Sequence, residues 1–306
     1  MVRECTIREK IGCVGIGLHT GKSIKLEILP APAGHGITFE RTDISNSPVM
    51  PARYDSVTRT ELATTIGQGD YAIKTIEHLM AAFMGLGIDN ARVLVGGPEV
   101  PIMDGSAAPF VCMLQDADIL KQKALKKFAV VTDKVTVRLG DKWASVSPAS
   151  TLSLKYVIDF PHPLIGRQTF AADFSTAVFI AELARARTFG FLKDIEALKE
   201  RRLALGGSLE NAVVIDNYNV LNPDGLRYPD EFVRHKALDA IGDLALLGAP
   251  LIGHVEIFKG GHALHAELLQ ALVESGAFHL WAATDRGKPA THGGEVRLPV
   301  PEPAWN

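Results

Sequence analysis

The chain is short of several things that would have assigned it early. Among 306 residues there are only three cysteines, Cys5, Cys13 and Cys112. The number is odd and the spacing fits neither a metal finger nor a disulfide framework, so a reducing compartment is expected. No apolar run is long enough to span a bilayer. The N-terminal MVRECTIREKIG is charged throughout and has no apolar stretch of the kind a secretion signal needs. The expected location is therefore cytoplasmic. A formal charge of −3 gives no basic excess, so nucleic acid is not an expected partner. The glycine-rich GCVGIGLHTGK at 12–22 lacks the P-loop pattern, and no dinucleotide fingerprint follows it. Hydride transfer is excluded on that ground. The stretch reads instead as a tight hairpin, with His19 at its tip as a surface residue.

What is present is a globular composition, 47% hydrophobic and 22% charged, with material for two domains. Strand-like runs recur at 5–29, 37–66 and 91–95. A loop, PEVPIMDGSAAPF, turns into a helix with Asp104 and Ser106 as capping candidates. KALKKFAVV at 123–131 reads as a linker entering a new strand, which puts a domain boundary near residue 126. Strands follow at 135–138, 143–148 and 152–160, a helical stretch at 179–186, a helix from 192 to about 205, and a strand at 212–222. A last strand at 255–258 meets KGGHALH, which opens a helix. The fold class is α+β, each half offering strands, helices and a glycine-flanked loop without a clear sequence repeat. The proline-rich tail after Gly287 reads as loose.

Two helices carry the chemistry. DEFVRHKALDAIGDLALLG, 230–248, has Asp230 as a candidate N-cap and Gly248 with Pro250 as a stop. Val233, Ala237, Ala240, Ile241 and Leu244 form its apolar face. His235, Asp239 and Asp243 lie opposite, with Lys236 beside them. Four residues rotate a helix by about 40°, so His235 and Asp239 project side by side and can ligate one ion. An ordinary polar helix face would look the same. The second helix, TIEHLMAAFMG at 75–85, is apolar nearly all round, which makes Glu77 and His78 costly unless paired or bound. His78, His235 and Asp239 then make a three-ligand set with a position left for water. Glu77 is placed as general base, and Asp243 as a partner that fixes a histidine tautomer. His262, in a glycine-flanked loop, can reach a reacting centre as a protonated acid. Lys236 adds positive charge, and Thr188 offers a hydroxyl to an oxyanion. The set suits amide hydrolysis.

These residues stand in blocks that resemble the zinc-dependent UDP-3-O-acyl-N-acetylglucosamine deacetylases of lipid A synthesis in Gram-negative bacteria. The blocks are GIGLHTGK, TIEHLMAA, PIMDGSAAPF, RTFGF, LGGSLENAVV, VLNPDGLRYPDEFVRHKALDAIGDL and GHAL, and they cover nearly the whole chain. The resemblance implies two similar two-layer sandwich domains, 1–126 and 127–306, facing each other across the active site, each with a small insert. It implies zinc, with Fe(II) also acceptable, on His78, His235 and Asp239. Glu77 would be the base and His262 the acid, with Thr188, Lys236 and Asp243 in support. The second insert, near 191–222, would form an apolar passage for an acyl chain, lined by Phe191, Leu192, Ile195, Leu203 and Val214. Lys142, Phe160 and Lys259 resemble positions near a uridine diphosphate, and Phe189 and His19 join the substrate contacts. The substrate would be UDP-3-O-acyl-N-acetylglucosamine, the protein a monomer. Two rivals are another metallo-amidohydrolase without the passage and a nucleotide-sugar binding module without a metal.

Overall fold

The structure is a computed structural model that describes residues 1–282, with two short strands beyond them. It is organised as two sheets with helices between. Strands β1 (Arg3–Ile7), β2 (Ile11–Ile16), β3 (Ser23–Pro30), β4 (Ile37–Arg41) and β5 (Met50–Pro51) precede a small hairpin of β6 (Val57–Arg59) and β7 (Thr65–Ile66). Helix α1 (Glu77–Leu86), strand β8 (Ala91–Val95), helix α2 (Ala108–Asp116) and strand β9 (Ile119–Leu125) complete this half. Its sheet runs β2-β3-β8-β4-β5, and β9 returns to pair with β1. The period-two burial of β3, with Ile24, Leu26 and Ile28 all turned inward, packs this sheet on the central core.

The second half contains β10 (Lys127–Val131), β11 (Val135–Leu139), β12 (Lys142–Ser147), β13 (Leu152–Asp159) and β14 (Arg167–Asp173). After them come α3 (Thr176–Val178), a π-helical turn at Phe179–Leu183, β15 (Phe189–Phe191), α4 (Leu192–Glu200) and β16 (Val213–Ile215). Then follow α5 (Glu231–Leu244), β17 (Leu251–Phe258), α6 (His262–Ser275), β18 (Phe278–Ala282) and the outlying β19 (Ala290–Thr291) and β20 (Gly294–Glu295). The seven-stranded sheet is built around β17, which pairs with β10, β12 and β13. Helices α5 and α6 lie on it, and α1 packs against α5 in the middle of the molecule. The architecture is the expected α+β arrangement of two sheet-and-helix layers. Among the described residues no helix is long and apolar enough to cross a membrane.

Several local expectations change. The linker read at 123–131 is strand on both sides of Lys126. That lysine is buried, bonded to the Gly87 carbonyl at 2.9 Å and the Asp89 carboxylate at 3.1 Å. The helix expected to 205 stops at Glu200, since Arg202 and Ala204 take left-handed φ values of 57° and 52°. The strand expected over 212–222 is three residues long, because Asp216 accepts the Tyr218 and Asn219 N–H groups and turns the chain. Asp230 stands at the N-cap position of α5 as expected, but its side chain takes Arg234 at 2.5 Å instead of an N–H of the first turn. Ser106 accepts the Ala108 N–H, while Asp104 holds Ser106 and Arg227 rather than the helix. His19 is buried, at 6% exposure, not a surface residue. The tail after Gly287, apart from β19 and β20, lies outside the described residues.

Candidate metal centre

Helix α1 begins under strain. Thr75, two residues before it, has φ 58°, a costly conformation for a β-branched residue, worth about 1–3 kcal/mol. Its hydroxyl donates to Glu99 Oε1 at 2.9 Å, and the wholly buried Glu99 also accepts the His19 and Thr20 N–H groups. This node fixes where α1 starts and hence where Glu77 and His78 point. The partner helix approaches unusually closely. A Cβ at Gly242 of α5 would sit 2.0 Å from the Glu77 carbonyl oxygen, so only glycine lets the two backbones meet there.

The face of α5 that looked solvated is turned onto α1. His78 Nε2 and His235 Nε2 each lie 3.4 Å from Asp239 Oδ1, and the two rings meet edge to face at 5.1 Å. Bonds of about 2.0–2.1 Å at tetrahedral angles put neighbouring ligand atoms about 3.3–3.4 Å apart. Asp239 Oδ1 is buried and accepts no hydrogen bond. A carboxylate oxygen in that condition is costly unless a cation occupies the space before it. Burial pushes the His235 imidazole down to about 3, which keeps it neutral, and its Nδ1 faces the Ala186 carbonyl at 3.2 Å. That bond leaves the Nε2 lone pair for a ligand role. Burial opposes ionisation of Asp239, but the Lys236 ammonium, at 2.6 Å from Oδ2, helps to hold its pKa well below the usual carboxylate range. The donor set therefore fits one divalent cation.

A second group stands beside it. Glu77 Oε2 accepts the Thr64 N–H at 3.0 Å, while Oε1 lies 3.9 Å from His262 Nε2. Burial raises the Glu77 pKa above its ordinary value. His262 opens α6, and its Nε2 is also 3.9 Å from Asp239 Oδ2. Its Nδ1 meets Asp243 Oδ2 at 2.7 Å. Burial disfavours the imidazolium, yet Asp243 and Glu77 outweigh it and push the pKa up to about 9. A base raised toward neutrality and an acid held protonated thus face the same side of the candidate ligands.

The RTFGF segment is anchored by Arg187, which grips Glu231 through Nε at 2.9 Å and a terminal nitrogen at 3.1 Å. That places the Ala186 carbonyl on His235. Thr188 follows, half-buried, its N–H on Gly105 and its carbonyl on Val213. Phe189 packs on the His235 ring at 6.3 Å, and on Phe232 and Phe160 at 5.0 and 5.8 Å. Phe160 also meets Phe191 at 6.0 Å, so an aromatic seam runs from His235 into the insert. Along the insert Val214 is buried, Phe191, Ile195 and Leu203 are half-buried, and Leu192 is exposed. Lys142 and Lys259 gather at one end of the second sheet, where Trp143 pairs with Phe258. Lys259 is held there by Asp141 at 3.0 Å and Asp159 at 3.3 Å. His19 sits where the first hairpin meets the insert. Its Nδ1 faces the Ala204 N–H and its carbonyl accepts the Leu205 N–H.

Sequence reasoning missed Thr64, Gly242, Glu99, His265 and Phe232. A glycine inside a periodic helix was the available sign for Gly242, and a second histidine one turn after His262 was the sign for His265. Thr64 gave none.

An α+β fold with a buried two-histidine, one-aspartate pocket beside a carboxylate and a charged imidazole defines a candidate metallohydrolase. Sequence comparison narrows that class. The profile of the UDP-3-O-acyl N-acetylglycosamine deacetylase (LpxC) family matches residues 4–274, and the chain belongs to that family. It is 53% identical over 259 residues to the UDP-3-O-acyl-N-acetylglucosamine deacetylase of Myxococcus xanthus, covering 85% of this chain and 82% of the relative. It is 47% identical over 299 residues to the deacetylase of the same name from Anaeromyxobacter, with 97% of each chain covered. The corresponding figures for the Thioalkalivibrio sulfidiphilus protein are 50% over 275 residues, 89% and 90%.

Proposed function

We propose that this protein removes the N-acetyl group from UDP-3-O-acyl-N-acetylglucosamine by hydrolysis, releasing acetate and a free amine. The observation that carries the reading is the unsatisfied Asp239 Oδ1 between two imidazole nitrogens at 3.4 Å, with Glu77 and His262 alongside. His78, His235 and Asp239 would hold a divalent cation, zinc or Fe(II), since imidazole and carboxylate suit both. Such an ion supplies Lewis acidity, lowering the pKa of a water and polarising the acetyl carbonyl.

The residues of the chain do the rest. Glu77, through the Oε1 that Thr64 leaves free, takes a proton from the attacking water. The water oxygen bonds to the acetyl carbon, and the carbonyl electrons move onto its oxygen. Thr188 donates a hydrogen bond to that oxyanion, while Lys236 and charged His262 offset the negative charge. His262 Nε2 then gives its proton to the sugar nitrogen as the C–N bond breaks. Asp243 holds His262 by its other nitrogen. Phe191, Leu192, Ile195, Leu203 and Val214 are assigned to the acyl chain, with Phe189 and His19 at the mouth of the passage. Lys142, Phe160 and Lys259 are assigned to the uridine diphosphate. Two cytoplasmic-protein domains divided near residue 126 and a monomeric state complete the reading. What supports the division is that β9 pairs back with β1 while β10 pairs into the second sheet.

Acetate release from UDP-3-O-acyl-N-acetylglucosamine tests it. Activity should vanish with a chelator and return with added zinc. Release that persists in metal-free protein would overturn the assignment.

A further inference from the structure

Asp243 is bound more tightly than a single imidazole partner requires. Its Oδ1 accepts the Thr64 hydroxyl at 2.6 Å, and Oδ2 meets His262 Nδ1 and His265 Nδ1, both at 2.7 Å. Asp243, His262 and His265 also form a compact set of possible ligand atoms. The 2.7 Å separations are those of charge-assisted hydrogen bonds, well inside the about 3.3 Å that atoms sharing a cation keep. The cluster is therefore a hydrogen-bond node, in contrast to the 3.4 Å set around Asp239.

The node extends away from the reacting centre. His265 is fully buried on α6, and its Nε2 lies 3.2 Å from the hydroxyl of Tyr156, itself fully buried on β13. A Cβ at Gly260 would come within 2.8 Å of the Tyr156 oxygen and 3.3 Å of His265 Nε2, so the loop is bare where these two meet. The proton positions follow from the chemistry. An ionised Asp243 can only accept, so His265 must carry its proton on Nδ1. Nε2 is then a lone pair, and the Tyr156 hydroxyl must donate to it. Burial lowers the His265 pKa and raises that of Tyr156, which agrees with both being neutral.

We propose that His265 is a positioning residue for the acid step. As the neutral Nδ1–H tautomer, tied to the sheet through Tyr156, it pins Asp243 so that the remaining lone pair of Oδ2 faces His262. This rests on the reading of His262 as the proton donor. A buried histidine serving stability alone would make the same contacts, so the test separates the two. In asparagine the Nδ2 occupies the place of the histidine Nδ1. His265→Asn therefore keeps the donor to Asp243 and loses only Tyr156. His265→Leu keeps bulk and loses both.

The expected result is a fall in kcat of about 10- to 100-fold in His265→Leu, with KM and bound metal unchanged. His265→Asn should recover most of that kcat while melting no higher than His265→Leu. Equal kcat in the two variants, or kcat that follows melting temperature, would overturn the proposal. A second measurement needs no substrate. Two-bond proton–nitrogen spectra of the holoenzyme carrying 15N-histidine should show His265 protonated at Nδ1 and bare at Nε2, with the Nε2 signal moving in Tyr156→Phe. The opposite tautomer would overturn the proposal even if both histidine variants fail to fold. Absence of acetate release from the parent enzyme would sink the functional reading and leave the tautomer result standing.

Discussion

The helix pair that carries the candidate ligands and the insert that follows Phe189 are built on opposite terms. Nine of the ten residues of α1 and twelve of the fourteen of α5 are buried. None of the nine in α4 is. Burying Glu77, Asp239 and Asp243 together is expensive, and their placement against Lys236 and the histidines offsets it. Where three donor atoms must share one ion, tenths of an ångström matter, and dense packing is what supplies them. An acyl chain asks for less. It needs apolar surface of roughly the right width, and half-buried Phe191, Ile195 and Leu203 would offer that if the proposed passage lies here. Chemistry and chain selection should therefore respond differently to substitution.

The largest expected effect breaks the ligand set itself. Asp239→Ala removes the anion between the two imidazoles and leaves Lys236 beside them. Stoichiometric metal and acetate release should both be lost, as read by metal analysis and a release assay. Metal retained at full stoichiometry would show that the cation sits elsewhere. Next comes the close approach that makes the set possible. Gly242→Ala puts a methyl 2.0 Å from the Glu77 carbonyl, where backbone cannot give way cheaply. Chemical denaturation should report a loss of about 1–3 kcal/mol or more, with weaker metal retention. An unchanged midpoint would mean that α1 and α5 are free to separate.

A third effect concerns protons. Glu77 must be ionised to act as base, and burial raises its pKa, so activity should fall on the acid side at a pH above the ordinary carboxylate range. If His262 is the acid it must be protonated, and with its pKa pushed up to about 9 the alkaline fall should lie near there. Asp243→Asn removes the first of the charges that hold this proton, so that burial weighs more heavily against the remaining Glu77 and Asp239. The alkaline limb of kcat against pH should then move down further than the acid limb, because Asp243 is the leading charge on His262 and only the last of those that raise Glu77. An alkaline limb that does not move would assign it to another group.

The sequence foretold this contrast unevenly. His235 and Asp239 could be paired by helical period alone, and Glu77 and His78 stood out because their helix was too apolar to carry them. The fold class followed from strands recurring in each half beside one buried and one amphipathic helix. Legibility ended where contacts cross the chain. Nothing local marks Thr64 as a neighbour of Asp243, 179 residues away. The insert was misread in length at both α4 and β16. Left-handed turns at Arg202 and Ala204 and the Asp216 turn break patterns that periodicity alone would continue. His19 was misplaced for a similar reason: its burial comes from the Ala204–Gly207 loop folding onto the hairpin, as the Gly206 N–H bond to the Leu18 carbonyl shows.

The smallest effect tests the other side of the comparison. Ile195 is half-buried on α4, so Ile195→Trp has room to be accommodated at its own position. Folding stability should change by no more than about 0.5 kcal/mol, and bound metal should be unaltered. If the insert holds the acyl chain, the indole narrows the passage, and kcat/KM for a long-chain substrate should fall by about tenfold. A short-chain substrate, which never reaches α4, should react as before. Equal losses on both substrates would place Ile195 outside the passage. A loss of metal would dissolve the contrast altogether, because it would mean that the thinly buried insert and the dense helix pair move as one body.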